Sequence, residues 1–455
     1  MTTTARAARW VIATGAGALV ALVFVYLAWP GYMSYDSVFA LEQARAGIVS
    51  GTYPPLVSYL WWVLECFVPG QGGMLAFQVV MLMAGIGFCV HRISDSVAAA
   101  IMACAAVPFL PALAGPMLVV WKDILFAAFV VAATCASFVI CQASKRPRPF
   151  HLIAAGLLLL LAASTRLNGL PALVPAMFFL VKATFRSGQR AALVAGVAAG
   201  LVLLAACVIA ISTWRLPDFQ AIEKSRTQTY VMFHDLLGIS NCMGVQVFSQ
   251  DMTGGREYDR RALKSIYHPE HVQRSFSGGG FALSEASLAH VTQREWLAEI
   301  AHHPACYIDH KLNVLRYMLG YNRGQVFYIT DAGVFQNELG LDAPRQQRVA
   351  PIVDRVLAGS ASVFARPIAY LVYGLLGLVI LWRKGADMRL PLALMASSIL
   401  YLGPAVMLFS GADLRYQFPE VVEWFIVGSA GIGALLRSGA GGVRRDDGPA
   451  DGLPT

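Results

Sequence analysis

Apolar stretches close to membrane length recur along almost the whole of this chain, near residues 10–29, 74–90, 96–114, 117–141, 150–165, 168–182, 191–212, 364–382, 390–409 and 418–436. A helix of roughly 20 apolar residues spans the hydrocarbon core of a bilayer. The chain therefore reads as an all-α polytopic membrane protein with about ten transmembrane helices. Composition agrees: 57% of the 455 residues are hydrophobic and 14% charged, with a mean hydropathy of +0.58, against roughly 45–50% and 25% in soluble domains. So few charges cannot cover a soluble surface, which excludes soluble enzymes, disordered chains and disulfide scaffolds. The run from Trp10 to about Trp29, preceded by Arg6 and Arg9, is long and lacks a small-residue cleavage pattern, so it reads as an uncleaved first span.

Lys and Arg concentrate in the cytoplasmic loops of membrane proteins. With the N-terminus inside, fifteen basic residues fall in short inner segments, among them Arg6, Arg92, Lys145, Arg148, Arg190, Lys384, Arg389 and Arg437, while only Arg45, Lys122, Arg166 and Arg415 fall outside. Both termini are then cytoplasmic, and the net charge of +8 follows from topology, with no nucleic-acid partner implied. This divides the chain into an N-terminal transmembrane module, 1–212, carrying an outer catalytic loop at 30–73, a mainly helical periplasmic domain at 213–363, C-terminal helices at 364–437, and a disordered cytoplasmic tail at 438–455.

The 213–363 region holds fifteen basic and fifteen acidic residues, so its own charge does not fix its side. Its two cysteines, Cys242 and Cys306, form either a disulfide, as an oxidising compartment allows, or two buried thiols. Gly278, Gly279 and Gly280 with Ser275 and Ser277 read as a linker or a mobile gate, with no phosphate-cradle context. His268 and His271 have helical spacing but no third ligand. No metal motif is legible, no cofactor is identified, and a divalent metal is left open. No internal repeat of transporter type is evident.

The unusual polar residues gather at the outer boundaries. Asp36 follows span one in Tyr32-Met-Ser-Tyr35-Asp36-Ser37; Lys122 and Asp123 open span four; Arg166 and Asn168 join spans five and six; Asp413, Arg415 and Tyr416 join spans nine and ten. Each alone reads as a helix end. As a set they mix acids with cations that the positive-inside rule disfavours there, which marks a functional-site candidate. Ser34 to Gly47 is amphipathic and precedes Tyr53-Pro54-Pro55-Leu56 and Leu60-Trp61-Trp62. It reads as an interfacial helix roofing the bundle and holding Asp36 over it; a short extra span at 55–68 would invert all that follows, against the charge count.

An acid directly after span one, a Pro-Pro-Leu helix, Trp121-Lys122-Asp123, Arg166-Leu167-Asn168-Gly169, Asp413-Leu414-Arg415-Tyr416 with Pro419, and an outer stretch from Trp296 to Leu312 with His303-Pro304 and Tyr307 occur here in one order and on one side. In this the chain resembles the polytopic lipid-linked-sugar glycosyltransferases of the GT-C superfamily, over most of its length. The resemblance implies a bacterial inner-membrane enzyme with a periplasm-facing site, moving a sugar from a polyprenyl-phosphate carrier to an envelope glycan, lipid or protein acceptor. It also implies that Asp36 acts at the acceptor. Asp36-Ser37 departs from the Asp-x-Asp and Asp-Glu forms of several relatives, which weakens the case for a metal.

The residue types suit that chemistry. Displacing a polyprenyl phosphate needs a base near the acceptor hydroxyl and positive charge near the departing phosphate. Asp36 is the catalytic candidate, in one in-line displacement with inversion; Lys122, Arg166 and Arg415 are donor-phosphate candidates; Asp123, Asn168, Asp413, Tyr35 and Tyr416 are substrate-positioning candidates. His234-Asp235 and Asp309-His310 are acceptor-side candidates that the sequence does not rank. Glu42 is the only nearby second acid, and its position six residues on argues against a two-carboxylate hydrolase. A glycan polymerase or ligase is the alternative enzyme, expected to lack an acid directly after span one. A lipid-linked-sugar transporter or flippase would place its polar residues mid-span.

Overall fold

The computed structural model describes residues 3–49, 53–143, 147–185, 190–213, 220–221, 227–253, 255–272, 291–321, 330–342, 363–408 and 413–441. The triglycine at 278–280, His290 and the tail beyond Gly441 lie outside the described residues.

Helices dominate. The N-terminal part contains α1 (Thr3–Ala28), α2 (Tyr35–Ala46), α3 (Pro55–Glu65), α4 (Gly72–Ser94), α5 (Val97–Ala106), α6 (Pro111–Met117), α7 (Lys122–Gln142), α8 (Pro149–Thr165), α9 (Val174–Phe185) and α10 (Arg190–Thr213). Between the membrane parts come α11 (Thr227–Met243), α12 (Arg260–Ile266), α13 (Gln293–His302) and α14 (Pro304–Met318), followed by α15 (Pro367–Arg383), α16 (Arg389–Leu408) and α17 (Phe418–Gly441). The sequence pattern did not anticipate a two-residue parallel pairing of Ile48–Val49 with Gln220–Ala221.

Each of the ten apolar stretches is helical. Among the described residues seven helices are long and apolar enough to cross a membrane, which makes this a multi-pass membrane protein. Two further apolar helices, α8 and α15, have 17 residues each, about 25 Å of helix against a hydrocarbon core of about 30 Å. The stretch expected at 96–114 is broken into α5 and α6, bent by 72°. Proline is the reason: Leu110, held by Pro111 at φ −103°, ψ 109°, leaves the helical region.

The bent pair still runs from one end of the bundle to the other. At one end Arg437 pairs with Asp95 at 2.9 Å, Gln142 donates to Asp387 at 2.9 Å, and Arg92 meets Gln142; Ala99 of α5 packs against Gly433 there. At the other end the Tyr32 amide donates to Leu118 O at 2.8 Å and Arg415 pairs with Asp36. Close helix contact explains the glycines of α15 and α17: a Cβ on Gly431 would sit 2.6 Å from Gly377 Cα.

Helix α2 differs from the amphipathic surface helix expected. It buries Ser37, Val38, Ala40, Leu41, Gln43 and Ala44 around more than one face and ends at Gly47 in the left-handed region. Its small residues let α3 and the bundle approach from different sides. Helix α3, with 11 residues, is too short to be an extra span.

The 227–321 elements share a core of Phe233, Leu236, Leu237, Phe248, Met252, Leu263 and Ile266. A disulfide joins Cys242 of α11 to Cys306 of α14, with Cα atoms 5.6 Å apart. Helix α14 docks this unit onto the bundle: Val314 and Met318 pack in one cluster with Tyr401 and Ala405, and Lys311 Nζ donates to Met407 O at 3.0 Å.

Candidate functional site

Backbone stitching builds the Asp36 end before any charge is placed. Tyr32 exchanges backbone hydrogen bonds with the 118–120 strip, donating to Leu118 O at 2.8 Å and accepting from Val120 N at 3.0 Å. Ser37 Oγ donates to Val120 O at 2.6 Å, and Trp121 Nε1 to Ser34 Oγ at 2.9 Å. These bonds hold the first turn of α2, with Asp36, beside the first turn of α7, with Lys122 and Asp123. A segment from the far side of the chain closes the rim: Met33 donates to Gly333 O at 2.9 Å and accepts from Phe335 N at 2.8 Å.

Arg415 reaches Asp36 across 379 positions. Its Nη1 donates to Asp36 Oδ2 at 2.7 Å, its Nη2 to the Tyr416 hydroxyl at 3.0 Å, and its Nε lies 3.6 Å from Asp413 Oδ2. The guanidinium is over the Trp121 ring, 5.4 Å from its centroid, and the Tyr416 ring, 4.9 Å away. The Asp36 side chain keeps 35% of its surface open. Burial pushes its carboxyl up, but the charges of Arg415, Lys122 and Arg166 together hold it below the ordinary value.

The three expected phosphate ligands are not equivalent. Arg166 forms an ion pair with Asp123, at 5% and 1% exposure, and faces the Tyr416 and Tyr401 rings at 5.2 and 5.8 Å. Such a sealed pair is costly to open, about 3–5 kcal/mol, so Asp123 serves Arg166 in this structure and does not orient Lys122. Arg415 is engaged by two acids. Lys122, half-buried with its ammonium 4.1 Å over the Tyr53 ring, makes no ion pair within 4.0 Å among the described residues. It is the cation best disposed to take an incoming anion.

The other candidates separate. Asp413 braces Arg415 and lies 3.9 Å from His271. Asn168 is half-buried at the start of the Leu167–Leu173 3-10 segment. Tyr35 is exposed at the rim against Phe39 and Phe335. His234 and Asp235, expected on the acceptor side, have 0% exposure and no open face to offer a substrate. Asp235 instead accepts from His310 Nε2 at 3.2 Å, Trp296 Nε1 at 3.1 Å and Lys311 Nζ at 2.6 Å, while His234 Nε2 meets His268 O at 3.1 Å.

Residue-type reasoning missed Asp331, which the rim segment carries into the field of Asp36, Asp413 and Arg415; burial and the two neighbouring acids raise its carboxyl above the ordinary range. It also missed the rings of Tyr53 and Trp121 as platforms for cations. Among the described residues no three His, Cys, Asp or Glu side chains form a metal-holding group. At the opposite end a cavity of about 850 Å³, lined by His91, Arg92, Gln142, Lys384 and Arg437, shares no residue with this cluster. No family model, curated protein or solved structure matches the chain.

Proposed function

We propose that the protein is a GT-C-type glycosyltransferase of the bacterial inner membrane, moving a sugar from a polyprenyl-phosphate carrier to an envelope glycan, lipid or protein on the outer face. The observation that carries this reading is the meeting of Asp36, Arg415 and Lys122 at one end of a lipid-embedded bundle. The loop-charge count puts that end outside, with all ten apolar segments crossing and α5–α6 as one broken span. The Cys242–Cys306 bridge accords with an oxidising compartment for the 213–363 region.

In this reaction Asp36 takes the proton of the acceptor hydroxyl, the oxygen attacks the anomeric carbon, and the bond from that carbon to the phosphate oxygen breaks. Configuration inverts. Lys122 and Arg415 hold the departing phosphate, Arg415 through its forked donors. In the free protein Arg415 occupies Asp36; an arriving phosphate competes for the guanidinium and leaves the carboxylate available as a base.

The test uses full-length protein in lipid vesicles with radiolabelled polyprenyl-phosphate sugars and envelope extract as acceptor. One donor should be consumed, with an inverted glycosidic product. Retained configuration, or no consumption of any donor across the panel, overturns the reading.

A further inference from the structure

Glu420 and Glu423 stand inside Leu414–Arg437, a segment long and apolar enough to span the membrane, and neither takes part in the cluster around Asp36. Three residues apart on α17, they share one face. That face is sealed, with exposures of 0% and 2%. Glu423 lies about 14 Å along the segment from Leu414. Among the described residues both Glu420 oxygens and Oε1 of Glu423 lack a hydrogen-bond partner.

Other buried oxygens border the same seam. Gln417 Oε1, without a partner among the described residues, comes one turn before Glu420; on α16, Tyr401 Oη is beside Glu420 and against Arg166, and Ser397 Oγ faces the Glu423 carboxyl. Tyr401 and Ser397 are 1% and 0% exposed. Ser397 and Tyr401 follow i, i+4 spacing on α16, so two helices present matching oxygen stripes to each other.

An ionised carboxylate without a counter-charge is costly in such a place. Among the described residues no group facing the pair forms an ion pair with it. Arg166, next to Glu420, is already in contact with Asp123. Tyr416 adjoins Arg166 on the Asp36 side, and the free thiol of Cys89 of α4, hydrogen-bonded with that of Cys135 of α7, is on the Glu423 side. Cys104 of α5 turns to Met83 O, and Tyr373 of α15 meets Ser429 beyond Glu423.

We propose that the seam between α16 and α17 binds one compact monovalent cation, a proton or a sodium ion, held by the Glu420 and Glu423 carboxyl groups with Tyr401 and Ser397. The site stands independently of the glycosyl-transfer reading. Its occupancy bears on Arg166, so an anion bound near Arg166 and a cation bound in the seam favour each other, and the coupling is reciprocal.

Infrared spectra of the full-length protein in vesicles test this. In sodium-free buffer at neutral pH, a protonated-carboxyl band that shifts in D2O, and is partly lost in Glu420→Gln and in Glu423→Gln, identifies the proton. If wild type shows only ionised carboxylates there, and sodium chloride but not N-methylglucamine chloride moves those bands and raises Tm in wild type but not in Glu420→Gln, the occupant is sodium. Ionised carboxylates insensitive to both pH and sodium, or variant spectra identical to wild type, overturn the proposal. Should Glu420→Gln fail to fold, Glu423→Gln and the wild-type spectra in the two salts decide by the same criteria.

Discussion

Two buried ionic groupings in this protein use the same chemistry to opposite ends. Around Asp235, every strong donor in reach is committed: His310, Trp296 and Lys311 all point at one carboxylate with 0% exposure. Around Asp36, the carboxylate has one short ion pair, to Arg415, and stays about one-third open, with Lys122 held over a ring instead of an acid. The first is a joint that fastens α11 to α13 and α14. The second leaves a carboxylate partly open beside a cation that no acid among the described residues holds in an ion pair. Exposure and unfinished pairing separate the two better than residue type does.

The widest test of that contrast is Asp36→Asn, expected to reduce sugar transfer by about 10²–10⁴-fold while the thermal unfolding midpoint stays near wild type; a stability loss as large as that of an Asp235 variant would erase the distinction. Next, Asp235→Ala leaves Lys311 buried without its acid and should cost about 3–5 kcal/mol in denaturant unfolding, with transfer per folded molecule retained. Lys122→Met should weaken donor binding about 10–100-fold, the worth of one hydrogen bond to a charged group, in a vesicle binding assay. An unchanged affinity would return the phosphate role to Arg415.

The smallest effect is a pH dependence that differs between the groupings. Burial pushes His234 and His310 below the ordinary 6.5. Asp235 is pushed up by burial but pulled lower overall by the His310 hydrogen bond and the Lys311 charge. For all three the unfolded chain binds more protons, so stability rises with pH. The two histidines' contribution is complete above about 6.5 and fades as pH falls through their lowered folded values, whereas Asp235 loses its share only in stronger acid. Asp36, held below 3.8 by its cations, stays ionised across the histidine window. Urea midpoints of the 227–321 unit should therefore drop between about pH 7 and 5, while infrared bands show the Asp36 carboxylate unchanged.

Much of the architecture was legible because hydropathy is a property of runs: the apolar stretches became helices, but the break inside 96–114, at Pro108 and Pro111, was not read from the sequence because the run's average stays apolar. The convergence of Asp36, Lys122, Arg166 and Arg415 was legible from cations standing where topology disfavours them. Which acid each would take was not. Pairing of Arg166 with Asp123 depends on the rotation of α7 against the α8 end, and no spacing encodes that. The rim segment was invisible because Met33 meets Gly333 and Phe335 through main-chain atoms, which any residue supplies. Glu420 and Glu423 escaped notice inside a run whose average remained apolar, although acids at i, i+3 there were themselves a signal.

The separation of 379 positions between Asp36 and Arg415 also carries a consequence for biogenesis. At about 5–20 residues per second of synthesis, roughly 20–75 s pass after the aspartate leaves the ribosome before its arginine exists. A nascent polypeptide, or one terminated before Arg415, holds the Asp36 carboxylate without its counterion, so the ion pair at this end of the bundle forms only after Arg415 has been added.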